Sequence, residues 1–146
     1  MSAAHTALMS DLSALLGLPP LQADENGIHT LVVNGFPLNL GADARGEQIV
    51  LFTPIGQIDI ARQPDRLARM LRVNGAGAGA VTVGLAASQD IVLLSARRPR
   101  SDLDAEELAR WAGTFSDTAQ RWRDWLAASP DKVLETPVAP SHWLQG

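Results

Sequence analysis

The sequence predicts an α+β fold in which a mostly antiparallel five-stranded sheet packs against two longer helices, with a third, shorter helix between strands. Two observations predict it. Strand-like segments come in a run of three and a run of two, whereas a doubly wound nucleotide-binding fold alternates single strands with helices. The first and last segments have the apolar spacing of amphipathic helices. The predicted element order is therefore α-β-β-β-α-β-β-α.

The first helix is predicted from an apolar stripe at positions i, i+4, i+7 and i+8. Its members are Leu8, Leu12, Leu15 and Leu16. Gly17 and the pair Pro19-Pro20 end the helix, because glycine tolerates a left-handed exit and proline lacks an amide proton.

A β-hairpin follows, in which residues 28–33 and 36–40 flank Asn34-Gly35. This dipeptide is the one that best accepts the positive φ angles of a two-residue type I′ turn. The turn fixes a register that pairs Val33 with Phe36, Leu31 with Leu38, and His29 with Leu40. The opposite face carries Ile28, Thr30, Val32, Pro37 and Asn39.

The remaining elements are predicted from shorter patterns. A third strand covers residues 48–53 and stops at Pro54 and Gly56, and a short helix covers residues 65–73. Two strands over residues 81–86 and 91–96 follow a glycine-rich connector. The last helix opens at Ser101, which forms a capping box with Asp104, and it runs to about residue 127. We expect one domain over residues 1–128 and a proline-containing tail over residues 129–146.

Composition excludes several classes of function. The 146-residue chain has no cysteine, which rules out disulfides, thiolate metal sites and thiol nucleophiles. Its net charge of −4 argues against nucleic-acid binding. No apolar run approaches the ~20 residues of a membrane span, and no signal peptide opens the sequence. We therefore expect a cytoplasmic protein that does not insert into membranes.

No motif for catalysis stands out. His5, His29 and His142 are scattered, so we expect exposed histidines near both termini, one at a sheet margin, and no metal. The glycines of the connector follow a helix and precede a strand, the reverse of a phosphate-binding loop. No GxSxG elbow is present. We expect no catalytic residue, no cofactor and no enzyme activity, and a deep polar pocket with convergent titratable groups would revive the enzyme alternative.

Surplus apolar surface is the more informative feature. The short helix has an apolar face of its own, and the third and fifth strands are apolar on both sides. Such a surplus on a small protein marks a binding surface or an oligomer interface. The cluster Arg97, Arg98 and Arg100 indicates a solvated turn or a partner contact. Trp143 in the tail is compatible with docking on a partner, docking on its own domain, or exposure to solvent.

The ordered set of segments resembles the class I type III secretion chaperones, the family of the Tir chaperone. The likeness covers about residues 4–127 and is carried by LMSDLSALLGLPPL, LVVNGFPLNLG, IVLFTPIGQI, RLARMLRVN, VTVGLAASQDIVLLSA and LDAEELARWAGTFSDTAQRWRDWL. The most specific part is the final strand pair followed by a helix that ends in W-x-x-W-L. The sequence departs from the family in the connector, residues 75–80, and in the tail, residues 130–146.

The resemblance implies a cytoplasmic bacterial homodimer that binds the N-terminal chaperone-binding segment of one or more virulence effectors and delivers it to the secretion apparatus. The secretion ATPase is a further candidate partner. The effector-binding residues it implies are Ile28, Val32, Val50, Phe52 and Leu12, and the dimer-interface residues are Leu67, Met70, Leu71, Val81, Val83 and Leu85. The alternative is an adaptor or regulatory domain of the same fold that binds a cellular protein and exports nothing.

Overall fold

The predicted order of elements is confirmed in the computed structural model, which describes residues 3–75, 81–87 and 89–128. The elements are α1 (Ala3–Leu15), β1 (His29–Val33), β2 (Phe36–Ala42), β3 (Gln48–Gln57), α2 (Pro64–Gly75), β4 (Thr82–Leu85), β5 (Ile91–Pro99), a 3₁₀ turn (Arg100–Asp102) and α3 (Ala105–Ala127). Most of the connector and the whole tail, including Trp143, lie outside the described residues.

The strands form one sheet in the order β1-β2-β3-β5-β4. The β1–β2, β2–β3 and β4–β5 pairs are antiparallel. The hairpin has the predicted register, with Leu31 opposite Leu38 and Val33 opposite Phe36. Asn34 and Gly35 have φ angles of 51° and 82°, which are the two positive values that a type I′ turn requires.

The described residues divide into two compact units, one within residues 1–53 and 96–116 and the other within residues 54–95 and 117–146. Each has its own set of buried apolar side chains. The first set includes Leu8, Met9, Leu12, Leu31, Phe36, Leu38, Leu40, Ile49, Leu51, Leu108, Ala112 and Phe115. The second includes Ile55, Ile58, Met70, Val73, Val81, Val83, Val92, Leu94, Ala119, Trp122 and Trp125.

Several predicted boundaries were wrong. Strands β2 and β5 end at Ala42 and Pro99, beyond the predicted residues 40 and 96. Strand β3 continues to Gln57, since Pro54 occupies an exposed position where a strand tolerates proline, and Gly56 adopts a φ of 152°. Helix α3 begins four residues after Ser101. Asp104 caps it, since its Oδ1 accepts a hydrogen bond of 2.8 Å from the Glu107 amide.

Candidate functional site

One face of the β1–β2–β3 ribbon gathers the side chains that the sequence predicts for partner binding. The register places Thr30 beside Asn39 and Asn39 beside Phe52. We call this surface the outer face and define it by Ile28, Thr30, Val32, Pro37, Asn39, Val50 and Phe52. The opposite face of the same strands carries the buried side chains, among them Leu31, Leu38 and Leu51.

The outer face is apolar and accessible. Val32 keeps 71% of its surface exposed, which is high for a branched aliphatic side chain, and Ile28, Val50 and Phe52 are half-buried. Its polar members pair with each other, since the Thr30 hydroxyl lies 3.0 Å from Asn39 Oδ1. The result is a surface on which apolar groups alternate with a satisfied polar pair.

Gly41 allows Ile28 to lie across the strands of the outer face. A Cβ atom built on Gly41 would come within 2.8 Å of Ile28 Cδ1, closer than real Cβ contacts permit. Gly41 itself stands opposite Val50 in the β2–β3 ladder. The glycine therefore makes room for the Ile28 side chain next to Val50.

Strand β1 is an end strand in the sheet order. Within the described residues its one strand neighbour is β2, and outside the named strands a single bridge joins His29 to Ala23. The backbone of an edge strand can pair with an added extended segment, and side-chain pockets then provide specificity. An edge and an apolar face thus meet at Val32.

Leu12 is placed differently from the other predicted effector-binding residues. Its side chain has no exposed surface and belongs to the core under α1, together with Leu8 and Met9. The apolar stripe that suggested Leu12 is the stripe that folding buries. Leu12 therefore presents no side-chain surface to a partner in this conformation, and we leave it out of the outer face.

The residues predicted for the dimer interface fall into two groups. Met70, Val81 and Val83 are buried within the single chain. Leu71 on α2 is 64% exposed, and Leu67 and Leu85 are half-buried. Surface available to a second copy in this set is therefore concentrated on α2.

Asn74, near the end of α2, bridges this helix and β4. Its side-chain amide donates to the Val83 carbonyl at 2.6 Å, and its Oδ1 accepts from the Val83 amide at 3.0 Å. Val83 stands opposite Leu94 of β5, and β4 is the other end strand of the sheet. The Asn74 side chain thus occupies both hydrogen-bonding groups of Val83 in an edge strand.

Arg66 of α2 caps the end of α3, a role the sequence analysis did not predict. Its guanidinium donates to the carbonyls of Trp125, Leu126 and Ala128, and it lies 5.5 Å from the centre of the Trp125 ring. Trp125 in turn packs edge-to-face on Trp122 with ring centroids 5.3 Å apart. A cation at a helix C-terminus opposes the negative end of the helix dipole, so this contact stabilises the last turn of α3.

The basic cluster is largely structural. Arg98 forms an ion pair of 3.1 Å with Glu107 and lies over the Trp111 ring, and Arg100 donates through Nε to the Gly46 carbonyl. Arg97 is exposed. Two of the three arginines therefore tie the turn before α3 to its surroundings.

Two histidines are buried together: His5, for which the sequence predicts exposure, and His29, which lies at the predicted sheet margin as the first residue of β1. His5 has no exposed surface, His29 keeps 5%, and their ring centroids are 5.5 Å apart. Burial is the main cause that lowers the pKa of both rings from the ordinary 6.5. His5 lies three and seven residues before Leu8 and Leu12, so the helical spacing that identified the leucine stripe was the signal that could have placed it.

A polar cleft of about 580 Å³ lies between residues 23–28 and 42–46. Its carboxylates hold the loop backbone: Asp24 accepts from the amides of Asn26 and Ile28, and Asp43 accepts from those of Glu47 and Gln48. Within the described residues no cluster of three or more metal-ligating side chains occurs. These carboxylates act as turn caps.

A family model described as the Tir chaperone protein (CesT) family matches residues 7–123. This chain belongs to that family. The match begins within α1 and ends within α3, so the CesT-family region contains every strand of the sheet and the whole outer face. Among curated proteins, none matches the chain in sequence.

Three solved structures are similar in fold. The Yersinia pestis type III secretion chaperone SycH, in complex with a stable fragment of YscM2, is 20% identical with a TM-score of 0.63, over 80% of this chain and 98% of that one. The HopA1–SchA chaperone–effector complex is 22% identical with a TM-score of 0.67, and the similarity covers 83% of this chain and 94% of that one. The ExsC–ExsE complex is 23% identical with a TM-score of 0.65, and the similarity covers 88% of this chain and 100% of that one.

The similarity to these structures establishes the CesT-like arrangement of helices and strands. Within the described part of this CesT-family chain, no helix is long and apolar enough to cross a bilayer.

Proposed function

We propose that this protein is a cytoplasmic chaperone of a bacterial type III secretion system. In this role it binds the N-terminal segment of one or more effectors, keeps that segment competent for export and delivers it to the apparatus. The observation that carries the proposal is the family match over residues 7–123. The HopA1–SchA structure, a chaperone–effector complex of similar fold, supports the same role.

The outer face is the surface we assign to the effector. An extended chain needs backbone partners and shallow apolar pockets, and the end strand β1 and the side chains of Val32, Val50 and Phe52 suit both needs. Ile28 completes the surface beside Gly41. Binding there buries apolar groups that the isolated chain leaves in contact with water.

We assign self-association to α2. Its exposed Leu71, with Leu67 beside it on the helix, forms an apolar surface that a second copy of the chain would cover. Leu85 is the half-buried member of the predicted set on β4. A homodimer built this way uses none of the residues that define the outer face.

The decisive experiment captures partners with the tagged protein from its own bacterium grown under inducing conditions, followed by mass spectrometry and limited proteolysis. We expect one or a few proteins that are protected only over an N-terminal segment of roughly 50–100 residues, the length an extended chain needs to wrap a small dimer. A folded cytoplasmic partner protected elsewhere would contradict the secretion role and support the adaptor alternative.

A pair of variants separates the two surfaces. Val32→Asp places a charge on the outer face and should abolish effector capture while the dimer persists in light scattering. Leu71→Asp should weaken the dimer instead, because it charges the exposed side of α2. Unchanged capture by a folded Val32→Asp protein would refute the surface assignment without affecting the family role.

A further inference from the structure

The two buried imidazoles of the first compact unit join α1 to β1. His5 comes from the first turns of α1, and His29 is the first residue of β1. Their planes are inclined by 50° at a centroid distance of 5.5 Å, and neither ring has more than marginal contact with solvent. The contact therefore lies on the buried side of α1, which also carries Leu8, Met9 and Leu12.

The charges around the pair disfavour protonation of His5. Positive charge on His29 and on Arg100 in the 3₁₀ turn acts against a proton on His5. The negative charge of Asp24, in the loop before β1, raises the pKa of His29, but Asp24 is itself exposed. Two imidazolium ions at this distance would repel each other where water screens them poorly.

We propose that the His5–His29 contact is an acid-sensitive clasp, which holds α1 against β1 while both rings are neutral and releases α1 when they are protonated. Release exposes the apolar side chains that α1 covers, without requiring that the rest of the sheet unfold. This property belongs to the chain itself and does not depend on the proposed chaperone role.

Proton linkage determines whether the stability of α1 rises or falls with pH. Burial, followed for His5 by the charge of His29, lowers the folded-state pKa of each ring below 6.5. The open state keeps the ordinary pKa, so it binds protons first, and α1 loses stability as the pH falls below 6.5 toward the folded-state values. Above that window the clasp keeps its full strength.

Hydrogen exchange measured by mass spectrometry tests the clasp in the full chain. Amide protection in α1 is compared with that in β2 at about pH 7.5 and about pH 5.5, after correction for intrinsic exchange rates. We expect the opening of α1 to rise by up to about tenfold per histidine while β2 changes less. Equal protection of α1 at the two pH values would overturn the proposal.

Three variants make the test specific. His5→Leu and His29→Leu should each reduce the pH dependence of α1 protection, and His142→Leu, at the third histidine of the chain, should leave it unchanged. A full pH response in both folded leucine variants would overturn the proposal. If these variants fail to fold, NMR titration of the unmodified chain decides, because imidazole midpoints of 6.5 or higher for His5 and His29 would contradict the clasp.

Discussion

The side chain of Asn74 pairs with both backbone polar groups of Val83. The distances are 2.6 Å to the carbonyl and 3.0 Å to the amide, across the gap between α2 and the end strand β4. A primary amide is the side chain that can offer one donor and one acceptor to the same residue. Because these groups face away from β5, the Asn74 amide occupies part of an edge that another strand would otherwise pair with.

We expect Asn74→Ala to lower the free energy of unfolding by about 1–2 kcal/mol, since two hydrogen bonds are lost and water regains only part of the site. Asn74→Asp should recover part of the loss, because a carboxylate accepts from the Val83 amide but repels its carbonyl. Urea unfolding gives the free energy of unfolding of the unmodified protein and of the two Asn74 variants. Thr82→Ala, on the exposed surface of β4, is the matched control. A loss as small as that of Thr82→Ala would show that the bridge contributes nothing.

Arg66 provides the second prediction. Arg66→Ala removes the cap on the last carbonyls of α3 and the contact with the Trp125 ring, so we expect a loss of about 1.5–3 kcal/mol. Arg66→Lys should recover only part of it, because an ammonium lacks the planar fork that reaches several carbonyls. Chemical denaturation gives the stability, and near-ultraviolet circular dichroism follows the surroundings of Trp125.

Arg62→Ala is the control for this series. Arg62 lies in the turn before α2 and forms an exposed ion pair with Asp59 at 3.6 Å. Exposed pairs of this kind contribute at most about 1 kcal/mol. If Arg62→Ala and Arg66→Ala destabilise the protein equally, the capping role of Arg66 is wrong.

The outer face allows a third prediction, at Gly41. Gly41→Ala should destabilise the protein by about 1–2 kcal/mol, because the new methyl group displaces the end of the Ile28 side chain. Shortening that side chain should relieve the clash, so Ile28→Val combined with Gly41→Ala should be more stable than the sum of the single effects predicts. Gly84→Ala is the control, since nothing lies within 4 Å of the position its new methyl group would take, and it should be neutral or slightly stabilising. Additive effects of the Ile28 and Gly41 changes would contradict the contact.

The hairpin was predictable because its information is local. Asn34-Gly35 sets the turn, the turn sets the register, and the alternation of Leu31 and Val32 then divides the two faces. The placement of Ile28 and Val32 on one surface followed directly. The phase of β3 needed the β2–β3 ladder, which the sequence does not encode in any turn of fixed length.

Several contacts that the sequence did not predict join residues far apart in the chain. Arg66 reaches carbonyls about sixty positions away, and the side chain of Asn34 donates to Ser116 at 2.9 Å. Such partners are determined by tertiary packing, and local propensity carries no record of them. His5 lies between these two cases. Its position on the buried side of α1 follows from the helical spacing in the sequence, whereas its contact with His29 does not.

The turn between β2 and β3 responds to acid in a different range from the histidines. Hydrogen bonding from the Gln48 amide, assisted by the amides of Glu47 and Gly46, lowers the pKa of Asp43 below its ordinary 3.8 although burial acts the other way. A lowered carboxyl pKa adds stability above pH 3.8 that is lost as the pH falls through the folded-state value. Protonation of Asp43 should therefore loosen this turn only in strong acid, well below the window of His5 and His29.

Asp43→Asn tests this last point, because the amide oxygen can still accept the backbone hydrogen bonds but no longer titrates. We expect the variant to lose the acid-dependent loosening of the turn below pH 3.8 and to keep the α1 response that begins below pH 6.5. Hydrogen exchange of residues 42–48 and of α1, followed across the whole range, separates the two events. Coincident loss of protection in both segments at one pH would mean that acid unfolds the unit as a whole and that neither group acts locally.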